Sequence, residues 1–129
     1  MNLAITAPYA AALTLIFVVL TQLVILARTK TAVALGDGGN VALLEASRRQ
    51  MNFVENVPIA LILMMLAEAG GASAMVLNIA GVVLVAARLI HPFGISAAKA
   101  ARPPRIVGAV ATTAVQLGMV VILTLHYFA

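Results

Sequence analysis

The stretch EASRRQMNFVENVP, residues 45–58, places charged and amide side chains at the head of an apolar run, IALILMMLA, that continues to Ala67. An α-helix turning about 100° per residue gathers Glu45, Arg48, Asn52 and Glu55 within an arc of roughly 80°, and Ile59, Ile62 and Leu66 continue the same stripe. Arg49 and Gln50 fall on other faces, so the polar stripe is a selected set of positions. Ionisable groups inside an apolar helix are expensive in lipid and by default mark function. The plainer alternative is a solvated helix end at the membrane surface, where Arg48 and Glu55 cancel each other's charge.

The composition agrees with a membrane setting. The chain has 129 residues, 64% of them hydrophobic and 9% charged, with no Cys and no Trp and a mean hydropathy of +1.12. A soluble domain carries about 45–50% apolar and about 25% charged residues. The expectation is an all-α integral membrane protein, one domain over residues 1–129, with about four spans of roughly 20 residues each and no room for a soluble domain. Without Cys there is no disulfide, thiolate nucleophile or Cys-ligated zinc, so a reactive thiol has to arrive with a substrate. The net charge of +4 lies beside the apolar spans and is explained by topology, with no nucleic-acid partner implied.

Taken in order, span one runs from Pro8 to Ala27, with only Thr14, Thr21 and Gln22 polar inside it. It lacks a basic leader and exceeds a signal peptide's apolar core, so it is read as retained. Arg28 and Lys30 close it, and Gly36, Gly38 and Gly39 around Asp37 mark a loop, which has no Lys-Ser/Thr to make it a phosphate loop. Span two runs from Val41 to Glu68, with Pro58 expected to free the Val54 carbonyl and bend the helix just past Glu55. Gly70-Gly71 turns the chain into span three, Ala72 to Ile90, where Arg88 and His91 are neighbours on one face. Pro92 and Gly94 end that helix, and after a basic loop span four runs from Arg105 to Phe128, with Arg105, Gly108, Thr112 and Gln116 on one face.

Lys and Arg concentrate in the first and third loops and their helix ends. The positive-inside bias places those loops in the cytoplasm and both termini outside. A four-helix bundle then gathers Arg28, the Arg48 to Glu55 stripe, Arg88 with His91, and Arg105 at its cytoplasmic end. This set is poor in nucleophiles: Ser47 has no His beside it, and His91 and His126 are expected at opposite membrane faces, which argues against hydrolytic triads and against a metal site. It is rich in guanidinium, which stays protonated and grips carboxylates in a fork, so an anionic small molecule is the ligand it suits. His126, next to Tyr127 and Phe128, reads as an interfacial anchor.

In combination, Arg48-x-Gln50-x-Asn52-x-x-Glu55-x-x-Pro58 resembles the second-helix signature of the membrane-associated proteins in eicosanoid and glutathione metabolism, the MAPEG family. Ala87-Arg88-Leu89-x-x-Pro92-x-Gly94 is similar to that family's close of the third helix, and Ala27-Arg28 to its close of the first. The likeness covers the whole chain and is nearest to the bacterial branch, which resembles the microsomal glutathione transferases. It implies a homotrimer in the bacterial inner membrane, with glutathione as co-substrate in a cytoplasm-facing cleft between protomers and a small hydrophobic electrophile taken from the lipid bilayer.

Carried onto this sequence, the resemblance implies that Arg48, Gln50, Asn52, Glu55, Arg88 and His91 hold glutathione. Glu55 faces its α-amino group, Arg48 faces a carboxylate, and Arg28 reaches in from the adjacent protomer. Arg105 is the implied catalytic residue that steadies the thiolate, with Arg102 as the competing alignment. A cation beside a thiol favours the ionised form, each pKa unit being worth about 1.4 kcal/mol. The sequence departs from the family where several eicosanoid-making members carry Tyr and this chain has His91 and Ile95. Two rivals remain: a catalytically silent member of the fold, and a small proton-coupled exporter, a class that depends on a carboxylate in span one, where this chain has no ionisable residue between Met1 and Ala27.

Overall fold

The computed structural model describes residues 3–99 and 102–128. Four α-helices form: α1 (Thr6–Thr31), α2 (Val41–Ala69), α3 (Ala74–Ile90) and α4 (Pro103–Phe128), with a short 3-10 turn at His91–Gly94 after α3. Each is long and apolar enough to cross a membrane, α3 when taken with the turn that extends it. The chain is an all-α, multi-pass integral membrane protein built as a four-helix bundle. Lipid dictates this choice, because a spanning segment has to satisfy every backbone donor and acceptor internally. Several threonines of the first span are satisfied in the same way. Thr14, Thr29 and Thr31 donate their hydroxyls to the carbonyls of Ala10, Ile25 and Ala27, one turn earlier on α1.

α1, α2 and α4 are longer than the sequence boundaries expected, while α3 starts two residues later, at Ala74. α1 continues past Arg28 to Thr31 and ends on Ala32 in the left-handed region, at φ 54°. The loop beyond it needs its glycines, since Gly36, Gly38 and Gly39 have φ of 68°, 56° and 76°. Asn40 then caps α2, its side-chain oxygen accepting from the Leu43 N–H at 3.0 Å. α2 continues through Pro58 as one helix of 29 residues.

Around the bundle, α1 packs on α2 and α3, and α4 packs on the same two helices from the opposite corner. The core between them is Leu13, Leu20, Phe53, Met64, Leu84 and Met119, with alanines at 60, 67 and 80 that let the backbones approach. At Gly81 the Tyr9 ring of α1 occupies the space that a side chain on α3 would need. The connections are short, so the helices alternate in direction. One end of the bundle holds the end of α1, the start of α2, the end of α3 and the start of α4. At the other end, Glu68 accepts from the backbone N–H groups of Ile5 and Thr6, both at 2.8 Å, and His126 lies against Gly70.

Candidate functional site

The first of these two ends carries the polar residues, and three contacts shape it. Glu45, one turn into α2, accepts from the Ala97 N–H at 2.8 Å and from the Arg49 guanidinium at 2.9 Å. The same guanidinium nitrogen of Arg49 donates to the Ile95 carbonyl at 3.0 Å, so one ion pair on α2 pins the segment after α3. Gly94 supplies the third contact. A Cβ at this position would stand 2.1 Å from the Arg105 backbone nitrogen, so the absent side chain is what seats the 3-10 turn against the first turn of α4. Gly108 performs the same service one turn later, beside His91 and the Ala87 carbonyl.

These contacts enclose a polar cavity of about 300 Å³, lined among others by Glu45, Arg48, Asn52, His91, Ser96 and Arg105. Two arginines, a neutral amide, an imidazole and one carboxylate, already held by Arg49, are suited to an anionic ligand with a few hydrogen-bonding groups. On the other side of α2's inner edge lies an apolar groove of about 490 Å³, with Leu15, Val19 and Leu23 of α1 facing Leu89 and Phe93. Arg49 and Arg88 line this groove. Their partners Glu45 and Asn52 line the polar cavity, so two side-chain contacts join the walls of the two spaces.

Arg88 is the tie between three helices. It donates to Asn52 Oδ1 on α2 at 3.0 Å, to the Gly108 carbonyl on α4 at 3.0 Å, and to the Thr112 hydroxyl, which itself donates to the Gly108 carbonyl at 2.8 Å. Its side chain is 2% exposed.

Of the residues singled out in the sequence, Arg48, Asn52, His91 and Arg105 meet at the polar cavity. Four stand elsewhere within this protomer. Gln50 donates to the Thr21 hydroxyl at 2.9 Å and joins α2 to α1. Arg28 donates to the carbonyls of Val33, Ala34 and Gly36 and closes the loop after α1. Arg88 lines the apolar groove, and Glu55 is exposed on the outer face of α2 with no hydrogen bond or ion pair among the described residues. The sequence gathered Arg88 and the Arg48 to Glu55 stripe at one end, whereas Arg88 points inward to Asn52 and Thr112 and Glu55 points away from the bundle. His91 and His126 lie at opposite ends, as expected.

Glu45, Arg49 and Ser96 were not singled out as site residues. The Glu45–Arg49 pair was legible, since four residues separate the two charges on one helix. The contribution of Ser96 and Ala97 was not, because it depends on the loop folding back over α2.

Two curated relatives match, both the inner membrane protein YecN of Escherichia coli, one from strain K12 and one from an O6:H1 strain. Each is 45% identical over 67 residues, 52% of this chain and 51% of the relative, so the match spans about half the length of those proteins. No solved structure gives a significant match. The family signal is broader and takes in all four helices: residues 6–125 match the MAPEG family, and the chain belongs to it.

Proposed function

We propose that this protein binds glutathione, or a thiol of the same anionic kind, in the polar cavity and transfers it to, or uses it to reduce, a hydrophobic electrophile dissolved in the bilayer. The observation that carries this reading is the adjacency of two unlike spaces, a polar cavity with Arg48 and Arg105 in its wall and an apolar groove beside it. A thiol held on the polar side meets a lipid-soluble partner from the apolar side. Arg48 and Asn52 bind the carboxylate and amide groups of the ligand, and Arg105 stabilises the thiolate, whose lone pair forms the new sulfur bond as the leaving group departs with its electrons. Arg105 opens α4, where the helix N-terminus adds a favourable field for an anion.

Arg28 and Glu55 enter this scheme through assembly, Arg28 reaching a neighbouring protomer's cavity and Glu55 facing a partner across the interface of a homotrimer. The name of the YecN relatives supports placement in a bacterial inner membrane, and the positive-inside bias puts the cavity on the cytoplasmic side. A second reading, a family member that binds but does not turn over, is favoured by His91 and Ile95 standing where the eicosanoid-making members carry Tyr.

The decisive measurement is calorimetry of the detergent-solubilised protein with glutathione, where no heat at millimolar ligand removes the proposal. Arg105→Ala is then expected to abolish the ultraviolet absorbance of bound thiolate and the conjugation of a chlorodinitrobenzene, while glutathione affinity falls only modestly. If Arg102→Ala loses both signals and Arg105→Ala keeps them, the role moves to Arg102. If wild type binds glutathione and never shows a thiolate, the silent reading replaces the enzymatic one.

A further inference from the structure

One wall of the polar cavity is held in place by a side chain that does not itself line the cavity. Ile95, Ser96 and Ala97 border that space together with Arg48 of α2 and Arg105 of α4. They belong to no helix, so no ladder of backbone hydrogen bonds secures them. Among the described residues their own chain offers only local turns, the Ile95 N–H donating to the Pro92 carbonyl at 3.2 Å and the Ala98 N–H to the Ser96 hydroxyl at 3.3 Å. Two hydrogen bonds reach another element, and both go to α2. The Ala97 N–H donates to Glu45 at 2.8 Å, and Arg49 donates to the Ile95 carbonyl at 3.0 Å.

These two ties are linked through a single nitrogen. The Arg49 nitrogen that donates to Ile95 also donates to the second carboxylate oxygen of Glu45 at 2.9 Å, so the guanidinium orients the carboxylate that receives Ala97. Arg49 thus governs both ties, one directly and one through Glu45. It lines the apolar groove and is absent from the wall of the polar cavity. We propose that Arg49 is a positioning residue for the anion site, clamping Ile95 to Ala97 as a strap along the cavity, and that release of this strap is the step that admits and discharges the ligand.

The contacts fit a clamp better than a plain helix pair. An exposed ion pair four residues apart adds little stability by itself. Here the pair instead spends its donor and its acceptor on backbone groups of the strap, which hold whatever side chains stand there. Both side chains stay partly exposed, at 30% for Arg49 and 22% for Glu45, so water can replace the two contacts without unfolding a helix. The strap also has a fixed root, because Gly94 is seated against the backbone of Arg105. The inference rests on the anionic ligand of the proposed function and adds what governs its residence.

The test combines hydrogen exchange with ligand release on the full-length protein in mild detergent. Without ligand, Arg49→Met is expected to raise exchange at the amides of residues 95–98 at least tenfold, with the four helices unchanged by circular dichroism. Glutathione, followed by calorimetry and by stopped-flow displacement, is expected to bind this variant at least fivefold more weakly through faster release. Arg49→Lys, which keeps a cationic donor for Glu45 and Ile95, is expected to recover most of the wild-type residence time. If Arg49→Met fails to fold, Ala97→Pro removes the donor on the strap without altering α2 and is expected to speed release in the same way. Unchanged exchange at residues 95–98 in Arg49→Met would overturn the clamp, as would a loss in Arg49→Lys as large as in Arg49→Met. Faster exchange with unchanged release would overturn the gate alone. A wild type that binds no glutathione removes the functional proposal and the gate with it, an outcome separate from bound glutathione whose release ignores Arg49.

Discussion

Arg88 and Gly94 show how single residues build the site in different ways. For Arg88 the sharp question is what Asn52 does for it. Removing Asn52 leaves a buried guanidinium with one fewer acceptor, which costs about 1–3 kcal/mol. Replacing Arg88 with Met removes the buried charge at similar volume and leaves Asn52 Oδ1 without its donor, so the contact is already lost in that background. Asn52→Ala is therefore expected to lower the thermal midpoint in the wild-type background and to have little effect in an Arg88→Met background. Equal losses in both would show that the Asn52–Arg88 contact is energetically idle. Gly94 acts through space alone. A methyl at this position meets the backbone of Arg105, so Gly94→Ala is expected to push the start of α4 outward and to cut glutathione binding and conjugation at least tenfold, with the four helices retained by circular dichroism. At this scale the stripe of Arg48 and Asn52 was legible, because helical spacing alone puts them on one face. The demand for Gly94 was not, since it comes from the approach of α4, which no local pattern encodes.

Helices are held to one another at both ends by different chemistry. The polar end uses Gln50 to Thr21 between α2 and α1, and Arg88 between α2, α3 and α4. The far end uses Glu68, which read in the sequence only as the last residue of span two. Its two carboxylate oxygens take the N–H groups of Ile5 and Thr6, donors that α1 cannot satisfy from within itself, and its charge suits the positive end of that helix's dipole. A cap supplied from another helix leaves no signature at its own position. Glu68→Ala is expected to destabilise the protein by about 1 kcal/mol, the usual loss for an N-terminal cap. Hydrogen exchange should rise at residues 5–9 while glutathione binding at the opposite end stays unchanged. Unchanged exchange at the start of α1 would show that the helix is fixed by core packing around Leu13 and Tyr9 instead. Glu68→Gln, which keeps an acceptor and loses the charge, should fall between the two.

The whole molecule was the most legible level, since four apolar runs separated by Gly, Pro and basic loops leave lipid only one solution. What bears on assembly at this scale is where Glu55 stands. This carboxylate lies 14 residues from each end of α2, about 21 Å from either terminus, so it sits near the middle of the span. It faces outward and makes no hydrogen bond or ion pair among the described residues. A side chain with two methylenes cannot reach water from there, and a carboxylate facing acyl chains at mid-depth is among the most costly placements a membrane protein can make. Arg48 lies two turns away on the same stripe and is also exposed. A lone protomer therefore leaves a carboxylate in lipid on the outer face of α2, and a closed ring of copies with α2 inward would remove it. We expect native mass spectrometry from mild detergent to give a trimer, and Glu55→Lys, which sets three cations against one another at the centre, to give monomers. Glu55→Gln should keep the trimer and lose ligand affinity if the carboxylate also reads the α-amino group of glutathione. A wild-type monomer with Glu55 readily modified by a lipid-soluble carbodiimide would mean that the acid lives in the bilayer after all, and that the stripe serves something other than assembly.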